Sequence, residues 1–121
     1  RAEGQAHIDR IEAALALGER ERAVQLLTTI EKLPPGLRPP YLEAQAHRFR
    51  ARLDGNEAGY RAAAARLREL GIPFWLAVTL LEHGEEAGLA EAREIFARLG
   101  ATPWLERVSA AASDRPLHVP A

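Results

Sequence analysis

The chain has 121 residues and a nearly balanced charge, with 16 Lys+Arg against 17 Asp+Glu and a formal net charge of −1 at pH 7. That balance excludes a general electrostatic pull towards nucleic acid or an anionic membrane. The absence of cysteine excludes disulfides and thiolate metal sites, and no apolar run approaches a membrane span, so the cytoplasm is the expected location.

The length accommodates one domain, or three helix pairs and a closing helix. Alanine accounts for 24 residues, which favours closely packed helices because Ala has the best helix propensity and lets axes approach. Strand-like runs of β-branched and aromatic residues are missing, so the expected class is all-α. The opening Arg1-Ala2 lacks a Met, and helical character is present by Gln5; this start reads as part of a longer polypeptide.

The first helix is predicted over 3–17, with Ile8, Ile11 and Leu15 on one stripe, and Gly18 supplies a left-handed cap. A second over 21–33 presents Ala23, Leu27 and Ile30, then breaks at Pro34-Pro35-Gly36. After Pro39-Pro40, Leu42, Gln45 or Ala46, Phe49 and Leu53 define the third helix, ended by Asp54-Gly55-Asn56. The fourth, over 57–70, shows Tyr60, Ala64 and Leu67 and is capped by Gly71. The fifth starts at Pro73 and is apolar on nearly every side up to Leu81, which marks a central helix. A sixth over 89–99 turns Ala92, Ile95, Phe96 and Leu99 inward. Thr102 as N-cap and Pro103 at the first helical position begin a seventh carrying Trp104, Leu105 and Val108. The short join at 84–89 implies either a very tight turn or missing loop residues. The expected organisation is a repeat domain over 1–112 and a flexible tail over 113–121.

Self-similarity supports stacked hairpins. ALGERERAVQLL is echoed by DGNEAGYRAAAARLRELG and EAGLAEAREIFARLG, so Ala23 and Leu27 correspond to Tyr60 and Ala64, then to Ala92 and Phe96. Units spaced by a few tens of residues that cover one another's apolar faces form helical repeats.

No constellation reads as catalytic. His83 lies near Glu82, Glu85 and Glu86, but LEHGE supplies one histidine where a zinc protease needs two, and His7, His47 and His118 are scattered. Gly84 and Gly88 lack the Lys-Ser/Thr ending of a phosphate loop, and Ser109 and Ser113 lack a nucleophile-elbow context. No catalytic, cofactor-binding or metal residue is assigned, and the chain is expected not to be an enzyme. The candidate interaction residues are Arg48 and Arg52, which share a helical face in RFRAR while Arg50 points elsewhere, and the adjacent pair Phe74 and Trp75. Phe74 and Trp75 cannot both enter one apolar layer, so one of them is expected on a shared surface.

Gly18, Ala23, Leu27 and Pro35, preceded by His7, Arg10, Ile11 and Ala14, resemble the tetratricopeptide repeat, and Ala92 with Phe96 matches its second-helix pair. GIPFWLAVTLLEH and LAEAREIFARLGATPWLERV, at 71–83 and 89–108, are similar to the C-terminal end of large bacterial signalling regulators. These join a nucleotide-cyclase-like or DNA-binding output domain to a switch ATPase and a tetratricopeptide array. The resemblance implies a right-handed superhelical array of antiparallel hairpins with a noncatalytic role in binding protein or regulatory sensing. Its partner would be a protein or peptide, including another domain of the parent protein or a second copy in a homodimer, with no direct nucleic acid and no membrane. The alternative is a small-effector-binding helical domain that controls an attached output domain, with Phe74 or Trp75 as an apolar wall.

Overall fold

Proline and glycine punctuate the helices. In the structure, a computed structural model that describes residues 4–114, the elements are α1 (Gln5–Ala16), α2 (Arg20–Glu31), a 3-10 turn (Pro35–Leu37), α3 (Pro40–Asp54), α4 (Glu57–Glu69), α5 (Pro73–His83), α6 (Glu86–Leu99) and α7 (Thr102–Ser113). Among the described residues all regular structure is helical. The expected tail over 113–121, with His118, lies outside the described residues, apart from Ser113, which ends α7, and Asp114. No described helix is long and apolar enough to cross a membrane.

Contacts gather in two units, Arg1–Gly71 and Ile72–Ala121. In the first, α1 packs on α2, α3 on α4, and α2 also meets α3. Its apolar core joins Ile8, Ile11 and Ala14 of α1 to Ala23, Leu27 and Ile30 of α2 and to Leu42, Ala46, Phe49 and Leu53 of α3. The spacings of three and four that mark these residues in the sequence put them on one face of each helix, and burying that face is the main stabilising term. Gly18 closes α1 with φ 76°; the Glu19 amide donates to the Ala14 carbonyl at 2.8 Å and the Gly18 amide to that of Leu15 at 3.1 Å, a Schellman closure that requires a left-handed residue. Between α3 and α4, Asn56 caps by accepting from the Gly59 amide at 3.1 Å. Gly59 also permits close approach: a methyl there would lie 3.0 Å from the Ala51 Cβ. Tyr60, in the register of a small repeat residue, is itself buried.

Polar clasps reinforce α2 on α3. Arg20 Nη2 donates to the Leu53 carbonyl at 2.6 Å, satisfying an acceptor in the last turn of α3. Arg50 Nε and Nη2 donate to Glu31 Oε2 and Oε1 at 3.1 and 2.7 Å.

In the second unit, α6 packs on both α5 and α7. Leu76, Ala77, Val78 and Thr79 are buried in succession on α5, as an all-round apolar helix demands. The join to α6 is a tight turn of only Gly84 (φ 79°) and Glu85, with the Gly84 amide donating to Leu80 and the Leu89 amide to Glu85. Where the sequence predicts a helix from 89, α6 begins at Glu86. Gly88 is inside it, where a methyl would sit 3.4 Å from Leu80 Cδ2, so this glycine serves close packing on α5 and breaks nothing. Leu99, expected inward, is 47% exposed. The cap of α7 also shifts by one residue: Ala101 is the N-cap and Thr102 the first helical residue, with no side-chain cap bond.

Candidate functional site

On α3, Tyr41, Gln45, Arg48 and Arg52 follow one another at spacings of four, three and four, so they form one stripe. That stripe meets polar residues of α1. Tyr41 Oη donates to Gln5 Oε1 at 2.8 Å, Gln45 Nε2 donates to Tyr41 Oη at 3.2 Å, and Arg48 Nε donates to Gln45 Oε1 at 2.7 Å. Arg48 Nη2 and Arg52 Nη1 converge on Glu12 Oε1 at 3.8 and 3.4 Å. Burial raises the Tyr41 phenol above its usual pKa of 10.0; the Gln45 hydrogen bond and Arg48 oppose the rise, and Asp9 adds to it.

Arg48 therefore departs from its expected place on an interaction surface. It is 0% exposed, with its guanidinium also 4.3 Å from the Phe49 ring centroid. The shared helical face does bring Arg48 and Arg52 together, but it is covered at Arg48 and open at Arg52. Desolvating a guanidinium is costly, and the Gln45 and Glu12 oxygens offset part of that cost. Chemically this stripe ties α1 to α3.

Phe74 and Trp75 fall in the second unit. The first turns of α5 and α7 and the last turns of α6 gather four aromatic rings. Phe74 meets Trp75, Phe96 and Trp104 edge-on, with centroids 5.2, 5.9 and 5.5 Å away. Trp104 stacks on Phe96 at 5.5 Å and 22°, and the Arg107 guanidinium covers it at 4.2 Å. Phe96 is fully buried, whereas Phe74, Trp75 and Trp104 are each half-buried. Edge-on and offset contacts align the rings' positive edges with neighbouring negative faces, fixing their orientation while leaving part of each apolar surface open.

The other polar candidates remain dispersed. His83 Nε2 lies 3.1 Å from Glu85 Oε1, and among the described residues no three His, Asp or Glu side chains are placed to hold a metal ion. One cleft of about 330 Å³ is lined by Glu31, Arg38, Glu43, Ala46 and His47. Another, of about 340 Å³, lies among Gly4, His7, Leu33, Leu37, Pro39 and Leu42. Sequence reading missed the Gln5–Tyr41–Gln45 chain, whose signal is the polar spacing along α3, and the Arg107 cover on Trp104, whose signal is their separation of three.

No family model matches the chain, and neither a curated protein nor a solved structure matches it.

Proposed function

We propose that the chain is a noncatalytic protein- or peptide-binding module of tetratricopeptide-like hairpins, a sensory or scaffolding part of a larger cytoplasmic bacterial signalling or transcription regulator. In this reading the hairpins continue as a right-handed superhelical array and α7 is the closing helix. Supporting it, Ala23 and Leu27 of α2, and Ala92 and Phe96 of α6, are buried at the small and large positions of the repeat pattern. The observation that carries the binding role is the half-buried set of Phe74, Trp75 and Trp104, rigid aromatic surface of the type that anchors protein interfaces. Nucleic acid is disfavoured because Arg48 spends its charge inside the fold.

A photoreactive phenylalanine analogue at Phe74, compared with one at exposed Glu21, tests the role in cells. Adducts of defined mass specific to position 74 are expected; the same adducts from both positions, or none from either, would count against it. A second copy is one form of such a partner, and sedimentation that reads monomer across a concentration series excludes that form. A small-effector alternative would use the 340 Å³ cleft beside His7 and Leu42, whose lining does not include Phe74 or Trp75, the expected apolar wall. It predicts saturable shifts of the His7 ring resonances by small apolar compounds.

A further inference from the structure

We propose that Arg107, seated over the face of Trp104, is a carboxylate-recognising anchor for an acidic peptide segment whose neighbouring apolar side chain rests on the open part of the aromatic cluster. The inference rests on the binding role above and specifies its partner. Its basis is the state of one cation. The Arg107 carbon lies 4.2 Å above the Trp104 ring, whose other partners are Phe96, stacked on it, and Phe74 at its edge. Among the described residues the guanidinium makes no hydrogen bond or ion pair. Its helix offers no acid at the positions three or four residues away, which are Pro103, Trp104, Ala110 and Ala111, and Glu106 projects from a different side.

A guanidinium over a ring face spends none of its N–H donors on a conventional acceptor, and its fork matches a carboxylate with two parallel bonds. The ring contact also restricts the side chain before the ligand arrives, which lowers the ordering cost of binding. The charge distribution within this unit points the same way. Glu82, Glu85 and Glu86 lie at the α5–α6 turn, whereas the aromatic end carries exposed Arg98 and Arg107. Leu99, at that same end of α6, adds exposed apolar surface beside the cations. The complementary ligand is therefore a side chain or terminus bearing a carboxylate next to a leucine-like or aromatic residue.

The test uses the full chain and two acetylated, amidated pentapeptides, one with a glutamate between two leucines and the other with glutamine in its place. The readouts are the Arg107 Nε–H and the indole N–H resonances, with Trp75→Phe assigning the latter. Saturable shifts at Arg107 and Trp104 are expected with the glutamate peptide. Binding should weaken about tenfold with glutamine or in Arg107→Lys, the loss of one good charge-assisted contact. Circular dichroism melting checks that Arg107→Lys remains folded. Equal shifts with both peptides would overturn the carboxylate assignment while leaving peptide binding at the rings standing. No shift with either overturns this inference, and crosslinking at Phe74 then decides the broader role separately.

Discussion

Arg50 grips Glu31 through two parallel hydrogen bonds, at 3.1 and 2.7 Å, and so joins the middle of α3 to the last turn of α2. Those bonds hold the Arg50 guanidinium protonated more firmly than a free arginine. The two side chains are 32% and 34% exposed, so water screens the pair and its value is modest. A double-mutant cycle of Arg50→Ala with Glu31→Ala should give a coupling of about 1 kcal/mol in low salt, shrinking in about 1 M salt. Arg50→Lys should recover less than half of it, because an ammonium cannot reproduce the fork. Coupling indistinguishable from zero in urea melts would contradict the bidentate geometry.

Tyr41 should make stability pH-dependent in alkaline solution. Burial raises its pKa in the folded state above 10.0, so the folded protein holds the phenolic proton longer than the unfolded chain does. The resulting stabilisation is fully present below pH 10 and is lost as the pH rises from there through the folded-state value. Compared with Tyr41→Phe, the wild-type protein should therefore lose stability over that interval. Its phenolate absorbance should also appear later than that of a free tyrosine. Parallel stability curves for the two proteins would refute the assignment.

Arg48 and Gln45 should behave as a unit. Arg48→Met alone leaves Gln45 Oε1 without its donor, takes a charge away from Glu12, and should cost about 2 kcal/mol. Adding Gln45→Leu removes the stranded amide, so the double variant should be about 1 kcal/mol more stable than the sum of the single changes predicts. Strict additivity in chemical denaturation would argue against the buried contact.

Gly18 should resist substitution where Gly36 accepts it. Both have open space around a new methyl, but only Gly18 adopts a positive φ, 76°. Gly18→Ala should cost about 1 kcal/mol from backbone strain, and Gly36→Ala should be close to neutral. Thermal melts of the two variants provide the comparison.

Helix boundaries were most legible where chemistry forbids the alternative, as at Pro73, Gly18 and Gly71. Glu86-Ala87-Gly88 misleads because glycine reads as a break until Leu80 is known to lie against it. Among the candidate residues, periodicity correctly paired Arg48 with Arg52, yet it carries no information about how deeply each is covered. Phe74 and Trp75 are consecutive on α5, and where the sequence sends one of them to a separate surface, both rings join one half-buried cluster. Their edge-on contact and the neighbouring Phe96 and Trp104 depend on how α6 and α7 return to the same end of the unit.

Gly84 and Glu85 alone separate α5 from α6. So short a tether closes at little entropic expense, and helix formation and loop closure are local events of about 1 μs or less. Translation adds roughly 5–20 residues per second. On the ribosome, α5 and α6 would therefore zip together before Trp104 emerges, and α7 would dock onto a template already assembled.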